Sequence, residues 1–261
     1  MGKGYVYLQV HDEIGTIFIN RPKKRNALTV DMWRQLISHV EQCDNDKNVK
    51  VIIIRSTTNE AFSAGADISE FATVRNSIES VMEFNKLPMT LEKRLANCSK
   101  PSIAMISGFC IGGGCEIAIA CDFRFADFTS KFAITPAKLG IVYNTPGTKN
   151  LVDLVGPSNA KDLLFTGRMI NAEEAREMGL INKVVSHDNL ERITYEFATQ
   201  IANNAQLTVR SSKKIITDIL HGATEDSEEV VELIKESIDS SDYKEGVAAF
   251  LQKRKPNFTY R

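Results

Sequence analysis

The chain has 261 residues, with 32 lysines and arginines against 33 aspartates and glutamates. Its residues are 43% hydrophobic, which is enough to form the core of one large domain, alone or with a small helical appendage. A net charge of −1 argues against nucleic-acid binding, which usually needs a strongly basic face. Because no apolar run approaches the roughly 20 residues that span a bilayer and residues 1–10 lack the pattern of a signal peptide, we expect a cytoplasmic protein without a membrane partner.

The first elements predicted along the chain are a hairpin, a helix and a buried strand. Residues 5–10 and 14–19 are rich in β-branched and aromatic residues on either side of a short turn, which predicts a β-hairpin. Thr29 then caps a helix that runs to about residue 43 and has one apolar face. The apolar run 49–55 is typical of a strand that is buried on both faces.

The middle of the chain alternates strands and helices, and the last part is nearly all helical. The predicted elements are a loop (59–69), a helix (76–98), a buried strand (102–106), a helix after a glycine run (116–121), two short strands (123–126 and 131–134), and helices from Gly147 onward with breaks at Gly156, Gly167, Gly179 and Gly222. This order predicts an α/β core over residues 1–200 and a helical C-terminal region over residues 201–261.

The cysteines do not form a metal-binding pattern. They are five in number, an odd count, and their spacing matches no zinc motif: Cys43, Cys98, Cys110, Cys115 and Cys121. We therefore interpret them as reduced, mostly buried thiols and expect no metal site.

Two turns rich in small residues are the strongest indication of chemistry. Residues 62–68 (Phe-Ser-Ala-Gly-Ala-Asp-Ile) follow a buried strand, and residues 108–116 contain three consecutive glycines that close a strand and open a helix. Small residues let a ligand approach the backbone, and a helix N-terminus leaves its N–H groups free. Two such turns that face each other predict an oxyanion hole, in which one donor can be worth roughly 3 kcal/mol of the reaction barrier.

Neither turn is specific by itself. A triple glycine is also typical of a tight turn or of a close contact between a helix and a strand. The run is not a dinucleotide fingerprint, because the chain has no G-x-G-x-x-G, and it is not a phosphate-binding P-loop, because no G-K-[ST] follows it.

Taken together, the two turns closely resemble the crotonase (enoyl-CoA hydratase/isomerase) superfamily. The resemblance covers essentially the whole chain in the same order. Further matching segments are Arg21-Pro22 with Asn26-Ala27-Leu28, Leu139-Gly140-Ile141, Phe165-Thr166-Gly167 with Ala172-Glu173-Glu174-Ala175, and Gly179 to Val185.

This resemblance implies a fold, a binding site and an assembly. The fold would be a ClpP-like spiral of ββα units whose helical C-terminal region trimerises and covers the coenzyme A site, in a homotrimer or a hexamer of paired trimers. The substrate would be an acyl-CoA thioester, with no separate cofactor and no nucleic-acid partner. The implied oxyanion-hole N–H groups are those of Ala66 and Gly113. The implied coenzyme A contacts are Ala64, Gly65, Ala66, Asp67, Ile68, Gly113, Thr135, Phe250 and Lys253.

The hydratases of this superfamily use two carboxylates, and this chain matches only one of them. Glu116 corresponds to the first, one turn into the helix that Gly113 opens. The position of the second is occupied by Pro136, which has no proton to give, and no Asp or Glu occurs between residues 128 and 152. Paired carboxylates suit the proton exchange of hydration, so the standard two-carboxylate chemistry is not expected from these positions.

The segment around Pro136 instead resembles the bacterial methylmalonyl-CoA decarboxylase branch, which carries a threonine and a tyrosine where Thr135 and Tyr143 stand. The C-terminal segment from Asp242 to Phe258 resembles that branch as well. Decarboxylation needs an enolate-stabilising site and a later proton source, and the two hydroxyls could position the carboxylate. The chain departs from this branch at Ala66, where the branch has a histidine, and in its more regular glycine run.

Several functions remain open at this point. The leading hypothesis is an acyl-CoA lyase that decarboxylates a short 2-carboxyacyl-CoA such as methylmalonyl-CoA, with catalytic residues Glu116, Tyr143, Ala66 and Gly113. The alternative is hydration or isomerisation of an enoyl-CoA by Glu116, alone or with an unrecognised partner, since isomerisation needs only one base. A thioesterase and a non-catalytic acyl-CoA- or RNA-binding homologue are less favoured.

Overall fold

The computed structural model describes residues 4–260, and in this part of the chain the strands form two sheets. The strands are β1 (Val6–His11), β2 (Ile14–Ile19), β3 (Val51–Ser56), β4 (Ala61–Ser63), β5 (Ser102–Ile106), β6 (Phe109–Ile111), β7 (Phe123–Asp127), β8 (Lys131–Ala133), β9 (Ile170–Asn171) and β10 (Lys183–Val185). The helices are α1 (Val30–Asn45), α2 (Phe71–Val74), α3 (Ile78–Asn97), α4 (Gly113–Ala120), α5 (Pro136–Leu139), α6 (Thr145–Thr166), α7 (Ala172–Glu177), α8 (His187–Ala202), α9 (Gln206–Leu220), α10 (Glu228–Asp239) and α11 (Ser241–Leu251).

The sheet order confirms the predicted spiral of ββα units. The larger sheet has the order β1-β2-β3-β5-β7-β10, and the smaller sheet has the order β4-β6-β8-β9. The pairs β3–β4, β5–β6 and β7–β8 each place their first strand in the larger sheet and their second strand in the smaller one, and helices follow each pair. Each turn of the spiral therefore brings the end of a short strand and the start of a helix to the same region.

The elements predicted near the N-terminus are confirmed. Strands β1 and β2 pair antiparallel, and the Thr29 side chain caps α1 by accepting a hydrogen bond from the Met32 N–H. Trp33 and Leu36 on the apolar face of α1 are fully buried against the larger sheet. All five cysteines are buried with free thiols, as the sequence predicts.

The short elements around the two small-residue turns differ from the prediction. The region predicted as a loop contains strand β4 and a 3₁₀ turn over Ile68–Glu70, and strand β6 over Phe109–Ile111 was not predicted. Helix α4 begins at Gly113, three residues before the predicted start at residue 116. Three-residue strands carry too few side chains to show a period, and their pairing with distant strands supplies their stability.

The C-terminal half is mainly helical, with two short strands, β9 and β10, that were not predicted. Gly156 interrupts α6 with a φ of 73°, and Gly167 closes that helix in the left-handed conformation. The division at residue 200 falls inside α8, which ends at Ala202, and the division into a core and a trimerising region stays a prediction. No helix among the described residues 4–260 has the length and apolarity that a membrane span requires.

Asn26 ties the N-terminal segment to the strand that precedes the first small-residue turn. It is fully buried with a φ of 56°, a left-handed conformation that asparagine tolerates better than most residues. Its Nδ2 donates to the Ser56 Oγ at 2.8 Å and to the Ala61 carbonyl at 2.9 Å, and its Oδ1 accepts from the Arg21 N–H at 2.7 Å. The hydrogen bonds of Asn26 therefore fix the turn after β4 to the N-terminal segment of the chain.

We predict that Asn26→Ala lowers the free energy of unfolding by about 3 kcal/mol, because it leaves buried partners unpaired and strains the backbone. Asn26→Gly should cost less, since glycine keeps the left-handed conformation. Urea denaturation measures both. The control is Asn45→Ala at the exposed end of α1, and an equal loss in Asn26→Ala and Asn45→Ala would contradict the assigned role.

Candidate active site

The two small-residue turns predicted to form an oxyanion hole pack directly against each other. A Cβ placed on Gly65 would lie 3.2 Å from the Gly113 nitrogen and 2.9 Å from the Ile111 carbonyl oxygen, and one on Gly113 would lie 3.5 Å from the Ala66 nitrogen. Gly65 also has a φ of 91°, which other residues adopt only under strain. The contact therefore requires glycine at residue 65.

Ala66 and Gly113 each present an N–H group that donates to no acceptor among residues 4–260. The Leu28 N–H donates to the Gly65 carbonyl at 2.7 Å and the Asp67 N–H donates to the Leu28 carbonyl at 2.9 Å, so the Ala66 N–H points to the opposite side of this bridge. Gly113 is the first residue of α4, where no intrahelical acceptor exists. Two neighbouring free donors are the arrangement that an oxyanion hole needs.

The first turn is anchored by Asp67, whose side chain is used inside the protein. Its Oδ2 accepts from the Arg21 guanidinium at 2.6 Å, and its Oδ1 accepts from the Ser69 N–H at 3.0 Å and the Ser69 hydroxyl at 2.6 Å. The hydrogen bonds from Ser69, with further help from Arg21, lower the pKa of Asp67 to about 2. Asp67 thus fixes the loop, whereas the neighbouring Ile68 is exposed and available for a ligand, and Ala64 is half-buried.

Glu116 lies in the first turn of α4 with a half-buried side chain, beside the Gly113 N–H. Burial raises the pKa of Glu116 to about 7, although the nearby Tyr143 hydroxyl and the Arg75 guanidinium both act to lower it. A carboxyl group that titrates near neutral pH can take a proton and return it with little cost in either direction. This property suits a general base or acid.

Tyr143 stands just before α6, and its ring packs against the core. A Cβ on Gly147 would lie 3.1 Å from the Tyr143 ring, so the first turn of α6 closely surrounds it. Its hydroxyl is buried and close enough to Glu116 to affect the pKa of that carboxyl, yet it makes no hydrogen bond of ordinary length within the described chain. Burial, followed by the charge of Glu116, raises the pKa of Tyr143 well above its ordinary value.

Two charged residues of this site were not identified from the sequence. Glu92 on α3 is buried, and burial together with the charge of Glu116 raises its pKa to about 8. Arg75, at the end of α2, interacts electrostatically with Glu116, and its guanidinium donates to Asn85 Oδ1 at 2.8 Å. The signal for Glu92 was present in the sequence as a glutamate on the apolar face of a helix. Arg75 lies in a segment whose sequence suggests an exposed position, and nothing in that sequence indicated a role for Arg75 in the site.

Thr135 is the N-cap residue of α5, a short helix that the sequence did not predict, and Pro136 is its first residue. Both are half-buried, and the Thr135 hydroxyl has no hydrogen-bond partner in the part of the chain that the structure describes. A threonine at this point can offer a hydroxyl to a ligand, whereas Pro136 has no proton to offer.

Phe250 and Lys253 are not brought to this site within one chain. Phe250 on α11 is 84% exposed, and it lines a cavity of about 390 Å³ formed by the C-terminal helices and the tail that follows them. No hydrogen bond or ion pair joins Lys253 to residues 64–68 in the described chain. Their predicted contact with coenzyme A, which would come from a neighbouring subunit, stays a prediction.

A larger cavity lies apart from these residues. It has a volume of about 820 Å³ between α9 and the core, and none of the predicted site residues lines it. The chemistry described above therefore belongs to the contact between the two turns and not to this cavity. In the range 4–260 no group of three or more His, Cys, Asp or Glu side chains could hold a metal ion.

Comparison with known proteins agrees with this geometry. Residues 9–261 match the family described as enoyl-CoA hydratase/isomerase. The chain belongs to this family. It is 36% identical to a crotonyl-CoA hydratase of Syntrophomonas wolfei subsp. wolfei, covering 97% of each chain, and 37% identical to a short-chain-enoyl-CoA hydratase of Clostridium acetobutylicum, covering 96% of this chain and 95% of the other.

Solved structures of the enoyl-CoA hydratase/isomerase family share the fold. A family member from Hyphomonas neptunium matches with a TM-score of 0.95 and 38% identity over 98% of each chain. The family membership predicted from the sequence is confirmed. Both of these relatives are named as hydratases and neither as a decarboxylase, so the assignment to the decarboxylase branch is not confirmed.

We predict that Gly65→Ala separates the two turns and lowers the turnover of any acyl-CoA substrate at least tenfold, because the added Cβ meets backbone atoms of the second turn. Steady-state kinetics and thermal denaturation would be measured together. Gly222→Ala is the matched control, since Gly222 has a similar φ of 99° but open space around it. Equal kinetic effects in the two variants would show that backbone strain, and not the contact between turns, is responsible.

Proposed function

We propose that this protein is an enoyl-CoA hydratase or isomerase in which Glu116 acts as the base and the N–H groups of Ala66 and Gly113 bind the thioester oxygen. The observation that carries the proposal is the position of Glu116, a carboxyl group with a pKa of about 7 one turn into the helix whose first N–H is free. The names of the relatives support the same reaction class.

The chemistry follows from where negative charge develops. When water adds to the β-carbon of an enoyl thioester, the electron pair of the double bond moves toward the thioester oxygen and forms an enolate. Two backbone N–H groups that are already oriented and unpaired stabilise this charge without reorganising. Glu116 accepts the proton that the water loses, and in an isomerisation it would carry a proton from one carbon to another.

The remaining predicted residues would bind the coenzyme A part of the substrate. We infer that Ala64 to Ile68 line its channel, with the exposed Ile68 against the adenine. Phe250 and Lys253 would reach the nucleotide from a neighbouring subunit of a homotrimer or hexamer. The exposed apolar residues of the C-terminal helices, such as Ile216, Ile219, Ile234 and Leu251, are consistent with subunit contacts.

Decarboxylation of a short 2-carboxyacyl-CoA is the second candidate. Tyr143, Thr135 and Pro136 are the residues that suggest it, and Arg75 adds a positive charge that a substrate carboxylate would require. Loss of CO₂ leaves the same enolate in the same oxyanion hole. The names of the relatives do not support this reaction, so it ranks below hydration and isomerisation.

We predict that Glu116→Gln reduces hydration and isomerisation by about 10³-fold, because glutamine cannot accept the proton. In the unmodified protein the rate should rise with pH and reach half of its plateau near pH 7, where Glu116 becomes ionised. Crotonyl-CoA turnover as a function of pH measures both effects. Full activity in Glu116→Gln would show that Glu116 is not the catalytic base.

Mass spectrometry separates the two candidate reactions. We expect purified protein to add water to crotonyl-CoA and to leave methylmalonyl-CoA unchanged. If CO₂ is lost from methylmalonyl-CoA instead, Tyr143→Phe should abolish that activity while Glu116→Gln largely spares it. Hydration in the absence of decarboxylation would exclude the decarboxylase candidate.

A further inference from the structure

Trp33 is the only tryptophan of the chain, and its ring packs against the second of the two turns. The side chain belongs to α1 and is 1% exposed. A Cβ placed on Gly113 would lie 2.9 Å from Cζ2 and 3.3 Å from Cη2 of the indole ring. The next nearest atom, the Ala66 nitrogen, would lie at 3.5 Å, which is an ordinary contact distance. The Trp33 ring is therefore what excludes a side chain at residue 113.

The backbone conformation does not require glycine at residue 113. Gly113 is the first residue of α4 and has no positive φ, whereas Gly65 has a φ of 91°. An alanine could adopt the backbone conformation of Gly113 without strain. The indole is rigid and enclosed by the core, so it cannot move aside for a Cβ. Glycine is needed at residue 113 because the indole occupies the adjacent space.

The segment that carries Trp33 is joined to the first turn. The Leu28 N–H donates to the Gly65 carbonyl at 2.7 Å, and the Leu28 carbonyl accepts from the Asp67 N–H at 2.9 Å. Helix α1 begins two residues after Leu28, and Trp33 lies in its first turn. Because the Trp33 ring contacts Gly113 in the second turn, one side chain spans the distance between the two turns.

The indole N–H of Trp33 shows that core stability does not explain this side chain. Its Nε1 is buried and has no hydrogen-bond partner among residues 4–260. A buried donor that lacks an acceptor costs free energy. Phenylalanine would avoid that cost, but it lacks the second ring, which carries Cζ2 and Cη2. The size of the indole is therefore the physical reason for tryptophan at this position.

We propose that Trp33 is a positioning residue that sets the separation of the Ala66 and Gly113 N–H groups, so that both donate to the same oxygen of the bound thioester. Trp33 acts through Gly113 and does not touch the reacting atoms. Hydrogen bonds weaken when the donor moves or turns away, and an oxyanion hole depends on donors held in place beforehand. The inference rests on the proposed function of these two N–H groups.

The first test is the kinetics of Trp33→Phe, which keeps an aromatic ring on α1 but removes the ring atoms that contact Gly113. We expect kcat for crotonyl-CoA hydration to fall at least tenfold with KM nearly unchanged, because the misplaced donors lose most when charge develops on the oxygen. Leu36→Ala is the matched control. It removes as many non-hydrogen atoms from another fully buried side chain of α1 and should retain kcat.

A compensating pair of substitutions tests the contact itself. Gly113→Ala alone should lower kcat at least tenfold, because its Cβ meets the indole. Trp33→Phe makes room for that Cβ, so the double variant should have a higher kcat than Gly113→Ala. Multiplication of the two single effects in the double variant, or full kcat in Gly113→Ala, would show that the contact does not position the N–H group.

A spectroscopic probe reports on the oxyanion hole without turnover. The absorption of 4-(dimethylamino)cinnamoyl-CoA moves to longer wavelength when its carbonyl oxygen accepts hydrogen bonds, because electron density shifts from the amine toward that oxygen. We expect a clear shift when it binds the unmodified protein and Leu36→Ala, and a smaller shift in Trp33→Phe. If Trp33→Phe does not fold, Trp33 fluorescence in the unmodified protein provides the test. It should change on saturation with crotonyl-CoA and not with free coenzyme A.

The outcomes separate this inference from the proposed function. If the bound probe shows no shift in the unmodified protein, the proposed role of the two N–H groups fails and this inference fails with it. If the probe shifts equally in the unmodified protein and in Trp33→Phe, or if Trp33 fluorescence does not respond to crotonyl-CoA, the positioning role is wrong and the proposed function stands.

Discussion

The site depends on one contact, in which two turns approach so closely that neither can carry a side chain at the point where they touch. Gly65 and Gly113 fill this contact, and a Cβ on either would meet the other turn or its surroundings within 3.5 Å. The contact leaves the N–H groups of Ala66 and Gly113 unpaired and next to each other, so both can donate to the same oxygen of a ligand. Unpaired buried donors are costly, so the fold around them must be rigid. Asn26 fixes the first turn from outside, and Asp67 within the turn is held by hydrogen bonds from Arg21 and Ser69.

The same burial that makes the N–H groups effective also determines the acid–base chemistry. In a site with little water, a carboxylate loses hydration and its pKa rises, as it does for Glu116 and Glu92. In the proposed reaction the enolate oxygen experiences the same environment and gains more from each donor than it would in water. One physical cause, exclusion of water, therefore raises the basicity of Glu116 and strengthens the oxyanion hole.

The sequence predicted the parts of the fold whose side chains repeat with a period. The hairpin, α1 and the buried strands follow from such patterns, and the two glycine-rich turns followed from residue size. Strands β4 and β6 escaped prediction because three residues show no period, and they form only by pairing with distant partners. Ala66, Gly113 and Glu116 could be assigned from the resemblance, whereas Glu92 was missed, because a glutamate on the apolar face of a helix does not show which other elements pack around it.

The charged side chains of the site explain how a buried site can accommodate the anionic enolate of the proposed reaction. Burial raises the pKa of both Glu116 and Glu92, which favours their neutral forms, and the Arg75 guanidinium acts in the opposite direction on Glu116. A second ionised carboxylate would oppose the enolate that the proposed reaction forms at the Ala66 and Gly113 N–H groups. Glu92 on α3 adds no second negative charge in its neutral form, which its burial favours. Pro136 at the start of α5 likewise brings no carboxylate.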